Sequence, residues 1–180
     1  MKDNIWFTYK ARIKAHERLE WMDFHSQSLL VWYALLSAVL AVLNTRYPTL
    51  LGKDTDMLSA TLSIGLLAIS LSVANRDFRG RAMLMRENYQ ELHKLHRTVD
   101  SDELTPTELD SYSELLRDCE NHRSIDDILA RVFAVNLTSR RPSGREWAIG
   151  YGAIIAKYLL AAALYAGPLL VAAAYAMGKK

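Results

Sequence analysis

The sequence predicts an all-α integral membrane protein, built as a two-span helical hairpin plus a cytosolic helical bundle and a third, C-terminal membrane helix. Three observations predict this. The apolar residues of the 180-residue chain are gathered into three long blocks rather than spaced at helical or strand intervals, the pattern a bilayer demands and a soluble core does not. Charged residues are absent from two of those blocks and occur once, as Lys157, in the third. No stretch alternates apolar and polar residues as a half-buried strand would. The net charge of +2 decides little on its own.

Residues 1–25 read as a cytosolic amphipathic helix, with Ile5, Tyr9, Ile13, His16 and Leu19 recurring at three- and four-residue spacing. Two fates are open to it: packing on the next cytosolic helix, or lying on the membrane through Trp6, Trp21 and Phe24. No cleavable leader is expected, because the first apolar run begins only at Ser26, after a long charged segment.

Residues 26–75 form the hairpin. Ser26 to Asn44 and Met57 to Asn75 are uncharged, and each is long enough to cross a hydrocarbon core of about 30 Å. The turn from Thr45 through Asp56 contains Pro48, which cannot continue a helix. Residues 76–138 form a cytosolic helical domain. The second span is expected to run on as one helix to about Val99, with Met85, Tyr89, Leu92, His96 and Val99 keeping a seven-residue rhythm suited to self-association or to neighbouring helices. Thr105-Pro106-Thr107-Glu108 has capping-box spacing and opens a helix with Leu109, Tyr112, Leu116 and Cys119 inward. Ser124-Ile125-Asp126-Asp127 repeats the signature, with Ile128, Leu129, Val132, Phe133 and Val135 on the apolar side.

Residues 139–151 are a basic linker. Residues 152–180 carry the third block, which spans better than it lies at the interface: Lys157 can snorkel, and Gly167-Pro168 can be absorbed as a kink.

Lys and Arg place both flanks of the hairpin in the cytoplasm. Lys2, Lys10, Arg12, Lys14 and Arg18 precede the first span, and a membrane-proximal basic group of Arg76, Arg79, Arg81 and Arg86 follows the second. The turn holds only Arg46 and Lys53 against Asp54 and Asp56. Arg140, Arg141 and Arg145 agree, whereas the terminal Lys179 and Lys180 oppose an external C-terminus.

Catalytic chemistry is not expected. No phosphate loop, nucleophile elbow or Cys/His box is present, and the single Cys119 cannot form an internal disulfide. His93 and His96 could face a metal from one side of a helix, but no third ligand follows at matching spacing, so packed or solvated histidines fit better. No cofactor is implied. The arginines at 76–86 lie beside a span, which favours topology and lipid headgroups over nucleic acid.

The residues with most functional content lie inside the spans. Thr61, Gly65, Ala68, Ser72 and Asn75 form one stripe, Ser59, Ser63 and Ser70 a second, and Ala34, Ser37, Ala41 and Asn44 a third. Such stripes serve close helix packing with interhelical hydrogen bonds. Alternatively one of them lines a wetted path once several copies assemble, since a single hairpin cannot enclose one. Neither stripe of the second span carries a charge, which argues against a proton relay or a tightly selective ion filter.

The IWFTYKARIKAHERL segment, the hairpin, the arginine-rich exit NRDFRGRAMLMRENYQEL and the trailing helices together resemble the SLATT superfamily. These are SMODS- and SLOG-associating two-transmembrane effectors; the third hydrophobic helix marks a branch with an addition to that plan. The resemblance implies a multi-pass protein of the bacterial inner membrane, with its N-terminus cytoplasmic, acting in antiphage defence. It would assemble as a homo-oligomer and form a pore or disrupt the bilayer when a partner signals infection. That partner would be a nucleotidyltransferase, a nucleotide sensor or a reverse transcriptase. The competing reading is a non-conducting scaffold that recruits a soluble partner to the membrane.

Overall fold

A computed structural model of the chain describes residues 2–47, 55–101, 103–135, 137 and 139–178. Six helices follow in order: α1 (Lys2–Arg46), α2 (Thr55–Ala74), α3 (Phe78–Thr98), α4 (Pro106–Arg117), α5 (Ser124–Val132) and α6 (Gly144–Gly178). No strand occurs among the described residues. The hairpin turn from Pro48 to Asp54, with Lys53, and the terminal Lys179-Lys180 pair lie outside them. The chain divides into two compact units: residues 1–22 with 78–159, and residues 23–77 with 160–180.

The first unit is the polar one. Its core forms where α1 meets α3 and α4. Ala15, Leu19, Phe78, Ala82 and Met85 make one buried cluster, and Ile5, Leu92 and Val99 another, against which Tyr9, Leu95, Leu104, Tyr112 and Leu115 pack. Alanines at 11, 15 and 82 are buried. The seven-residue rhythm of α3 is therefore spent inside the chain: Met85, Leu92 and Val99 are buried in these clusters rather than presented outward. Leu109 is turned out, and Leu115 packs in its place.

Three helix starts carry side-chain caps, two of them reciprocal. At α4, Thr105 Oγ1 accepts from the Glu108 backbone N–H (3.4 Å) while the Glu108 carboxylate accepts from that of Thr105 (2.7 Å), as the sequence predicts. At α5 the expected box slips by one residue: Arg123 is the N-cap, and Asp126 accepts from its backbone N–H at 2.8 Å. The third lies inside the expected basic linker, where Ser143 Oγ accepts from the Glu146 N–H (3.3 Å) and Glu146 accepts from the Ser143 N–H (2.8 Å). It starts α6 eight residues earlier than the apolar block suggests.

The second unit holds the apolar halves of α1 and α6 together with α2. Among the described residues, three helices are long and apolar enough to cross a membrane. Val31, Leu35, Val39 and Val42 on α1, Ile64, Leu67, Ile69 and Leu71 on α2, and Leu169, Leu170 and Val171 on α6 are all exposed, the surface expected where lipid is the solvent.

One expectation is overturned. The second span does not run on as a rod into the region after Arg76. α2 closes with backbone bonds from Asn75 to Leu71 O and from Arg76 to Val73 O, Asp77 adopts φ 41°, and α3 begins anew at Phe78. A left-handed residue breaks the α ladder, and Asp tolerates that conformation because its short side chain can bond locally. The unbroken helices are α1 and α6.

Candidate functional site

In the membrane unit the predicted residues separate by the face they occupy. Ser37 and Ser63 meet hydroxyl to hydroxyl at 3.3 Å, a direct bond between the two hairpin helices. Asn44 donates to the Asp56 carboxylate at 2.5 Å, closing the hairpin near its turn. Ser59 and Ser70 are half-buried on the same side of α2 as Ser63, with Ser63 donating back to Ser59 O (3.0 Å) and Ser70 to Leu67 O (2.8 Å). Thr61, Gly65, Ala68 and Ser72 lie on the other stripe and are exposed. Thr61 satisfies its hydroxyl on Met57 O at 2.8 Å, and a Cβ built on Gly65 meets nothing within 4 Å. Ser59, Ser63 and Ser70 thus sit on the hairpin's inner face, while Thr61, Gly65 and Ser72 point away from its own contacts.

The third helix joins this unit through a feature that sequence reading missed. Pro168 has no N–H, so the carbonyl of Leu164, four residues earlier, loses its helical donor. The hydroxyl of Tyr33 donates to that carbonyl at 3.0 Å, and Trp32 Nε1 donates to the neighbouring Tyr165 O at 3.2 Å. Tyr165 OH lies 3.3 Å from His25 Nδ1. Two aromatic side chains of α1 therefore satisfy the backbone around the proline, as a buried polar group in hydrocarbon requires. The signal in the sequence was Trp32-Tyr33 inside an otherwise aliphatic span.

The polar unit is held by charges that periodicity could not reveal. Arg12 is fully buried. Its guanidinium bonds Asn88 Oδ1 and donates to the carbonyls of Leu115 (2.9 Å) and Leu116 (3.4 Å), and Asn88 also donates to Leu115 O (2.7 Å). Those carbonyls are the unpaired end of α4, so the cation meets the negative pole of a helix. Burial pulls the Arg12 guanidinium below its ordinary value, with Cys119, Tyr112 and Asp118 pulling the other way. Arg18 grips the buried Asp126 in two parallel bonds of 2.9 and 3.0 Å, fastening α1 to the start of α5. Arg131 bonds Asp127 (3.0 Å) and Glu146 (2.5 Å), fastening α5 to α6. That bond, with the Ser143 cap, holds the Glu146 carboxyl down at about 2.

Of the basic group after the second span, Arg81 forms a two-pronged pair with Glu120 (2.7–3.1 Å) and lies over the Phe78 ring, whereas Arg76, Arg79 and Arg86 are exposed. His93 and His96 pack around the ring of Tyr9, His93 stacked at 5.0 Å. Among the described residues no three His, Cys, Asp or Glu side chains gather as a metal ion needs. An open groove of about 410 Å³ is lined in part by Thr8, Tyr112, His122, Ser124 and Arg140. Burial is the main influence on His122, pushing its imidazole below the usual range.

Three membrane-length apolar helices and a polar bundle stapled by buried arginines define an all-helical integral membrane protein. The chain belongs to the SMODS and SLOG-associating 2TM effector domain family 5, whose model matches residues 1–176. Comparisons with curated proteins and with solved structures gave no match.

Proposed function

We propose that the protein is the membrane effector of a bacterial antiphage defence system, embedded in the inner membrane with its polar unit in the cytoplasm. Several copies assemble and, when a partner sensor signals, open a conducting path or disrupt the bilayer, arresting or killing the host. The family supplies the effector role and the association with SMODS and SLOG systems. The observation that carries the pore reading is the outward stripe of Thr61, Gly65 and Ser72: three small or hydroxyl-bearing positions on α2, all exposed, with nothing among the described residues within 4 Å of a Cβ built on Gly65. A hydroxyl stripe of that kind wets a path only when neighbouring copies bring several together.

The orientation follows from the basic residues, which crowd the segments before α1's span and after α2's. Gating through α1 and α6 is favoured by their continuity, since the α2–α3 junction contains a left-handed residue. Activity with the partner system present is followed with a voltage-sensitive dye after triggering. The pore reading expects rapid depolarisation that Thr61→Leu with Ser72→Leu abolishes and that Leu67→Ile leaves intact. Unchanged polarisation on triggering removes it in favour of the non-conducting scaffold.

A further inference from the structure

In the polar unit α5 lies against the first turns of α6. A Cβ built on Gly150 would meet Leu129, Val132 and Ile128 at 3.6–3.7 Å, and Arg131 reaches Glu146 across the same contact. Glu146, Gly150, Ile154 and Lys157 thus follow the packed side of α6. Beside that side runs a second stripe, Trp147, Tyr151, Ile155 and Tyr158, at spacings of four, four and three residues. These four are 39, 47, 56 and 60 % exposed. Trp147 and Tyr151 stack on one another at 5.6 Å, Phe133 sets its edge on Tyr151 at 5.9 Å, and Phe133 (47 %) and Val135 (83 %) extend the bare surface. The sequence places Phe133 and Val135 on the apolar side of a helix, whereas α5 ends at Val132.

Lipid would be the simplest cover for aromatic residues next to a span, but the register places half the stripe out of its reach. Lys157 Nζ lies 4.4 Å from the Trp21 ring centroid, which sets α6 at Lys157 within a side chain's reach of the height of α1 at Trp21. Trp21 is five residues short of Ser26, about 7.5 Å at 1.5 Å per residue. Tyr151 and Trp147 lie a further six and ten residues back along α6, roughly 16 and 22 Å from the hydrocarbon edge. A tilt of about 40° leaves Trp147 roughly 17 Å away. The headgroup layer on each side is only about 5–8 Å deep.

We infer that the Trp147–Tyr151–Ile155–Tyr158 stripe is the contact between α6 of one copy and α6 of a second copy of this chain. The inference rests on the oligomeric reading given above. A bilayer holds every copy the same way up, so a stripe along α6 meets the identical stripe of a neighbour at the same height, and this one carries no charge to repel itself. The area argues for the same partner. Four large side chains about half exposed offer roughly 300–400 Å² per copy, or about 600–800 Å² for a pair. A stable interface between soluble proteins buries about 1,200–2,000 Å². The stripe is too small to hold a soluble partner alone and fits a contact that membrane-spanning neighbours complete.

The experiment uses the full chain in native membrane vesicles, with Cys119→Ser removing the only cysteine and Tyr151→Cys or Ile149→Cys added. Ile149 is also exposed but lies on the opposite flank of α6. Oxidation with copper phenanthroline is expected to link Tyr151→Cys into dimers at least fivefold more than Ile149→Cys, and Trp147→Glu is expected to suppress that product. Equal or absent linking at position 151, repeated with Ile155→Cys, overturns the inference. So does quenching by brominated lipid of a bimane placed on Tyr151→Cys, which would make lipid the cover. Linking without conduction leaves the contact standing and sinks the pore; conduction without linking does the reverse.

Discussion

The Arg18–Asp126 pair offers the sharpest test of how the polar unit is held. Asp126 is fully buried and accepts two bonds from Arg18 at 2.9 and 3.0 Å and one from the Arg123 backbone N–H at 2.8 Å. Arg18→Met removes the cation and leaves a buried carboxylate with one donor. Breaking such a pair from one side costs about 3–5 kcal/mol. The surviving N–H and the positive end of α5 return roughly 0.5–1 kcal/mol, and the partial exposure of Arg18 (17 %) also favours the lower end. We expect a loss of about 3 kcal/mol, which in a unit of roughly 100 residues lowers its Tm by about 12–24 °C. Replacing both partners, as Arg18→Met with Asp126→Leu, removes the stranded charge and should return to within about 1 kcal/mol of the parent. The assay is thermal unfolding of the full chain in nanodiscs by near-ultraviolet circular dichroism, with hydrogen exchange resolving α5. A shift under about 3 °C for Arg18→Met, or a double variant weaker than both single ones, would refute this account.

Tyr33→Phe strips the donor from Leu164 O and should cost about 1 kcal/mol; in a Pro168→Ala background, where the helix supplies its own N–H, the same change should cost close to nothing in a mutant cycle. His96 and His122 are both held below their ordinary value, chiefly by burial. Their folded forms bind protons less readily than the unfolded chain, so stability is complete above about pH 6.5 and is lost as the pH falls below it; a urea series between pH 7.5 and 5.5 should show this, and His122→Gln should flatten it. Glu146, held at about 2, contributes in the opposite range: its share is present above about pH 4.5 and disappears as the pH falls towards 2. Glu146→Gln should speed amide exchange over residues 144–150 at neutral pH while leaving α4 unchanged.

Much of the architecture was legible because lipid imposes a coarse, unmistakable pattern. Uncharged runs at Ser26 and Met57 locate two spans, and the Thr105–Glu108 spacing locates a helix start. The same cap signature at Ser143–Glu146 was present but hidden by the neighbouring Arg, Pro and Gly, which read as a linker. The break at Asp77 left no signal, because Asp is neither Gly nor Pro and only its backbone angle reveals it. Arg12 was invisible for a different reason: periodicity marks apolar faces, and a buried cation whose partners are the carbonyls at the end of a distant helix looks like one more charge on a polar side. In the hairpin, composition gives three stripes with equal standing. Only the Ser37–Ser63 contact separates the face turned to a neighbour within the chain from the face turned outward.

The bond from Tyr33 to Leu164 O has a consequence for biogenesis. The last span reaches the insertion machinery after the first two, and while it is alone the Leu164 carbonyl, which Pro168 cannot serve, meets hydrocarbon without a donor. Its release into the bilayer is therefore favoured only where the first span is already waiting beside the exit. The phenol of Tyr33 and the ring of Pro168 thus make the settling of the last span depend on the presence of the first.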